Sequence, residues 1–242
     1  MTAPAEHAHR GIVASGIATD VMLKAVDELD DAAVRGPSLL PGWSRAHVIT
    51  HLARNADALL NLLIWARTGV EHPMYTSRAD RDADIERGSL RGYRVLVEDL
   101  GAACDRLARA AGETPDWAWS TGLTTARGAA LAAARVPWLR LREVWLHLVD
   151  LDAGIGFDAI PDDVVEDLLD DVVREFGGRA DAPALAVEAQ LPDGRRRSWS
   201  IGPAGESGGT VSGHGLDMLA WLTGRGDGSN LSGSRPALPP WA

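Results

Sequence analysis

Residues Trp138 to Asp150 read WLRLREVWLHLVD. Apolar side chains recur there at three- and four-residue intervals, the pattern of a helix with one buried stripe. Pro137 stands where a first-turn proline is tolerated, and Gly154 and Gly156 close the run. The spacing therefore predicts a helix from Pro137 to about Asp152. Within it, Glu143 and His147 are four apart, which puts both side chains on one face. A carboxylate oxygen and an imidazole nitrogen so placed can hold a divalent metal, a recurring device in helical-bundle cores. The same pair is also common as a simple salt bridge or hydrogen bond.

A second helix is predicted from Arg45 to Thr68, capped by Ser44 and closed by Gly69. Its stripe includes Val48, Leu52, Ala56, Leu59 and Leu63. It carries His47 and His51, again four apart, and either could add a third ligand. His51 lies beside the stripe and should point partly inward, whereas His47 sits in the first turn, nearer solvent. Ionisable groups next to apolar stripes are costly unless paired. Two histidines and one carboxylate with open positions suit zinc or another first-row metal.

Outward from these two helices, Ile12 to Val34 reads as a helix ended by Gly36-Pro37. Another runs from about Arg81 to Ala111, weakened by Gly88, Gly92 and Gly101. Residues 116–136 fit either a loop or a short hairpin. After residue 156 the texture changes. Pro161 to Phe176 is an acidic amphipathic helix. Ala184 to Leu191 and Arg197 to Ile201 alternate as strands around the turn Pro192-Asp193-Gly194. Gly209 to Ser212 is a third candidate strand, Gly213 to Leu222 a helix, and Arg225 to Ala242 an extended tail. The fold class is thus a four-helix bundle over 1–157 followed by a small α+β domain over 158–242.

Composition narrows the function. The 242 residues include 24 Lys+Arg against 34 Asp+Glu, a net charge of −10, with no basic block. Phosphate contacts supply most nucleic-acid affinity, so no nucleic-acid partner is expected. The single cysteine, Cys104, excludes an internal disulfide and fits a reducing compartment. No signal peptide is visible, and no apolar run reaches the ~20 residues needed to span a bilayer. A cytoplasmic protein without a membrane partner is expected. The high charge, with no exposed apolar helix, favours a monomer. Cys104 sits among Leu100, Ala103, Leu107 and Ala108, as a core residue would.

The stretch LLPGWSRAHVITHLARNADALLNLLIWARTG (Leu39 to Gly69), the segment Glu71-His72-Pro73-Met74-Tyr75 and the pattern RLREVWLHLVDL (Arg140 to Leu151) together resemble the mycothiol-dependent maleylpyruvate isomerases. The helical part is similar to the DinB-like metal-binding bundle. The acidic helix, the strands and GHGLDMLAWLTG (Gly213 to Gly224) resemble that family's small C-terminal domain. The resemblance implies a divalent metal, zinc by preference, held by His51, Glu143 and His147, and so chooses His51 over His47. It implies mycothiol as thiol cofactor and a small dicarboxylate substrate. The activity implied is cis–trans isomerisation of maleylpyruvate to fumarylpyruvate, in gentisate-type aromatic breakdown. The rival readings are a mycothiol S-transferase of the same fold and a non-catalytic zinc-binding regulatory module.

Such chemistry asks for a cation to take a carboxylate, and Arg does so with two parallel hydrogen bonds. Arg81 is the favoured catalytic residue, although Arg78, Asp80, Asp82 and Asp84 around it also read as a solvated charge run. Arg142 flanks the metal motif but belongs to a different helix face from Glu143. Asn55, one turn after His51, is placed to line a pocket or to be a surface amide. Asp150, three after His147, can orient its imidazole or pair with an Arg on a neighbouring helix. Tyr75 and Trp43 are candidate pocket walls.

Overall fold

The computed structural model describes residues 2–126, 128–177, 179–203 and 208–240. The last two residues of the expected tail lie outside these. The chain divides into two compact units, Met1–Ile155 and Gly156–Ala242.

In the first unit, α1 (Ala3–Asp27) buries small residues, among them Ala5, Ala8 and Ala18. This lets it approach α6 (Val136–Asp150) closely, so that the Trp138 indole N–H donates to the His7 carbonyl over 3.0 Å. The expected helix from Ile12 to Val34 is in fact two. Asp30 accepts the Ala33 N–H at 2.7 Å and starts a separate short helix, α2 (Asp31–Arg35). Between α2 and α6, α3 (Arg45–Thr68) matches its expected bounds, and Gly69 closes it in the left-handed conformation at φ 71°.

The expected helix from Arg81 to Ala111 is also divided, into α4 (Arg78–Ser89) and α5 (Tyr93–Gly112). The break is held from outside. The Arg35 guanidinium takes the carbonyls of Ser89, Leu90 and Arg91, and Asp31 accepts the Tyr93 N–H at 2.9 Å. Helices α1, α3, α5 and α6 form the bundle, with α3 against α5 and α6 and α1 against α6 and α5. α4 lies along α3, where Gly88 approaches so closely that a Cβ would stand 2.3 Å from Thr50 Cγ2. The ambiguous stretch resolves into a hairpin, β1 (Gly122–Thr124) with β2 (Ala130–Ala132), antiparallel and flanked by 3-10 turns.

The second unit places α7 (Val165–Phe176) and α8 (Gly215–Leu222) with a four-stranded mixed sheet. β3 (Leu185–Gln190) pairs antiparallel with β4 (Arg196–Ile201) and parallel with β5 (Gly209–His214). The expected third strand runs two residues further than its pattern indicated, and the helix after it starts two later. Within the expected extended tail, β6 (Ser232–Gly233) pairs antiparallel with β5. No helix among the described residues is long and apolar enough to cross a membrane.

Candidate metal centre

Three side chains meet in the bundle interior. His51 projects from the second turn of α3, and Glu143 and His147 from successive turns of α6. One ligand atom from each lies within 4.8 Å of the others, and among the described residues this is the one such cluster of three His, Cys, Asp or Glu. Glu143 Oε2 is 3.1 Å from His51 Nε2 and 3.6 Å from His147 Nε2. The two imidazoles stand edge to face, with centroids 4.6 Å apart. Trp43 covers His51 from outside at 5.7 Å.

His47 is turned to another task. Its Nδ1 accepts the Ser44 N–H at 3.2 Å and lies 2.7 Å from the Ser44 hydroxyl, closing the first turn of α3. Its Nε2 faces Glu86 at 3.3 Å.

The protonation states favour a cation. Burial, with His147 and Arg81 nearby, pushes His51 down to about 4, so its ring is neutral at pH 7. Burial would raise Glu143, but its hydrogen bonds to His147 and His51 hold it well below the usual carboxylate range. Burial opposes charge on His147, yet its bonds to Asp150 and Glu143 win and its pKa is raised. The donor set therefore fits a divalent metal: one neutral imidazole, one carboxylate, and one imidazole whose proton a metal must displace. Behind His147, the fully buried Asp150 accepts from Nδ1 at 2.8 Å.

Arg81, from α4, donates to His51 Nδ1 over 3.3 Å and lies 5.8 Å from the Tyr75 ring centroid. Burial and the Glu143 charge raise the Tyr75 phenol, which stays protonated. Both residues line a cavity of about 380 Å³, together with Asn61, His72, Asp80 and Asp84. Asn55 does not line it. It is buried, and its Oδ1 accepts from Arg140 at 2.9 Å. Arg142, about 100° round the helix from Glu143, nevertheless brings its guanidinium within 3.6 Å of Glu143 Oε1. Sequence reasoning also passed over Arg140, which is buried and donates to Leu52 O, Asn55 and Cys104 Sγ. The signal was its place three residues before Glu143, on the same face of an apolar helix.

Fold and site thus define a helical-bundle protein with a largely buried cluster of two histidines and one carboxylate, linked through Arg81 to a cavity. A profile for the mycothiol maleylpyruvate isomerase N-terminal domain matches residues 16–152, and one for the MDMPI C-terminal domain matches residues 159–240. Solved structures of the mycothiol-dependent maleylpyruvate isomerase and of its histidine-to-alanine mutant superpose with TM-scores of 0.87 and 0.86. Each is 31% identical, over 100% of both chains. Comparison with curated proteins gave no match. The chain belongs to the mycothiol maleylpyruvate isomerase family.

Proposed function

We propose that the protein isomerises maleylpyruvate to fumarylpyruvate with mycothiol as cofactor, at a divalent metal held by His51, Glu143 and His147. The observation that carries this reading is the juxtaposition of that cluster with Arg81, whose guanidinium reaches His51 and also lines the cavity. Zinc is the favoured metal, since two histidines and a carboxylate leave a tetrahedral site open. The working unit is a single chain in the cytoplasm, where the lone Cys104 stays reduced.

A bound metal lowers the pKa of a coordinated thiol or water and stabilises developing negative charge. The thiol supplies reversible conjugate addition, which makes the double bond single until rotation and elimination restore it. The remaining work falls to the chain itself. Arg81 offers a planar fork to a substrate carboxylate. A metal held on His51 Nε2 would leave the ring proton on Nδ1, which could then not accept from Arg81, so the guanidinium would be free for a substrate carboxylate. Tyr75, a protonated phenol, donates toward the same space. Asp150 fixes the His147 tautomer so that Nε2 faces the site. Cys104 takes no part in the addition, because burial raises its thiol even with Arg140 beside it.

The test is spectrophotometric: maleylpyruvate with purified protein, with and without mycothiol, and metal analysis of the same sample. Thiol-dependent conversion with about one metal per chain is the expected result. Metal present without conversion refutes the substrate, and stoichiometric loss of thiol to a stable thioether makes the protein an S-transferase.

A further inference from the structure

A second cavity, lined by residues of α1, α5 and α6, has a volume of about 180 Å³. Its walls are mostly apolar, from Ile12, Leu23, Leu63, Leu107 and Val136 with Ser15 and Thr19 among them, and its one cationic lining group is Arg140. Exposed Asp20 and Asp105 lie on its solvent side, where water and salt screen them.

Arg140 is 3% exposed. Its hydrogen-bond acceptors are a backbone carbonyl, an amide oxygen and a thiol sulfur. Among the described residues no carboxylate is ion-paired with it. A buried guanidinium normally has an anionic partner, because neutral acceptors only partly replace its hydration. Here the cation faces a cavity whose other surfaces favour a hydrocarbon body.

We propose that this cavity binds a small monocarboxylate with a flat apolar body, its carboxylate on Arg140 and its body among the leucines. The size agrees: an apolar cavity of about 150 Å³ admits benzene, and the added carboxylate accounts for the rest. The site is separate from the metal cluster yet mechanically joined to it. Arg140 stands one turn before Glu143 on α6 and grips Leu52 O, the residue after His51 on α3. An occupant that draws the guanidinium outward loosens that grip and changes the spacing of the two ligand-bearing helices. The proposal does not depend on the isomerase reading, since it is tested by binding alone.

The experiment is calorimetric titration of the whole protein with benzoate, benzyl alcohol and acetate. Benzoate is expected to bind at least about ten-fold more tightly than benzyl alcohol, the difference a charge-assisted bond makes, with acetate weaker still. Ala108→Trp, on the exposed side of α5 at the cavity rim, is expected to abolish benzoate binding and leave the circular dichroism unchanged. Arg140→Met is expected to erase the preference for the anion while benzyl alcohol still binds. Equal affinity for benzoate and benzyl alcohol, no benzoate binding, or benzoate binding that survives Ala108→Trp would each overturn the proposal, the last by placing the anion elsewhere.

Discussion

Asp150 is the most direct lever on the cluster that does not touch the proposed metal. Its carboxylate accepts from His147 Nδ1 at 2.8 Å in a fully buried setting. Asp150→Asn keeps the shape and an acceptor oxygen but removes the charge. A charge-assisted hydrogen bond is roughly twice as strong as a neutral one of about 1 kcal/mol, so the exchange costs about 1–1.5 kcal/mol, near ten-fold in metal affinity. Asp150→Ala removes the acceptor altogether and should cost toward a hundred-fold. The assay is titration of metal-free protein with zinc against a chromophoric chelator, at about pH 8.5 and again at about pH 6.5. The sign of the pH effect follows from the raised pKa of His147. Asp150 strengthens the bond of His147 to a proton as well as to a metal. In acid, part of the wild-type advantage is therefore spent displacing that proton, and the gap between wild type and Asp150→Asn narrows. Unchanged affinity at the higher pH, or a wider gap at the lower one, would refute the reasoning.

Other outcomes follow from the same geometry. Arg81→Ala should lower kcat/KM by about a hundred-fold or more while metal content stays constant, and Arg81→Lys should recover little because the planar fork is lost; isomerase kinetics and metal analysis on the same samples check this. His47→Ala should cost about 1 kcal/mol of stability through the lost cap on α3, read by urea unfolding, and leave zinc affinity unchanged. Cys104→Ala should retain mycothiol-dependent turnover, since the nucleophile comes from outside the chain, and a dead but folded variant would contradict that.

The parts legible in the sequence are those where local pattern and tertiary demand agree. Glu143 and His147 share a helix face because α6 is periodic throughout, and α3 ends where Ser44 and Gly69 indicate. The breaks that escaped the reading are imposed from a distance. Nothing around Leu90 announces that Arg35, more than fifty residues earlier, will take three successive carbonyls there. The division near Asp30 was harder to see because Val26, Leu29 and Val34 keep an apolar rhythm across a capping aspartate. In the site, the apolar stripe of α3 already turned His51 partly inward and left His47 nearer solvent, though either could serve as a ligand. The structure separates them by the bond of Ser44 to His47, a contact within one helical turn that residue type alone does not specify. Arg140 went unread because a cation within an apolar stripe usually signals an exposed edge, whereas here neutral acceptors from α3 and α5 receive it.

The contact between Gly88 and Thr50 has a mechanical consequence. Thr50 precedes His51 in α3, and Gly88 lies near the end of the helix that carries Arg81. α4 behaves as a cantilever clamped at Gly88, with the guanidinium about two turns toward its free end, roughly 10 Å by helical rise. A single methyl at residue 88 would meet Thr50 Cγ2 at 2.3 Å, so the clamp must open by about 1 Å to restore ordinary contact. Carried along the beam, that displacement moves Arg81, which lines the cavity, by more than a hydrogen bond to a substrate carboxylate tolerates. Alanine at residue 88 should therefore impair turnover as a misaligned instrument does, with every reactive group still present and the metal still bound. The tolerance of the reacting end is machined at a position that has no side chain.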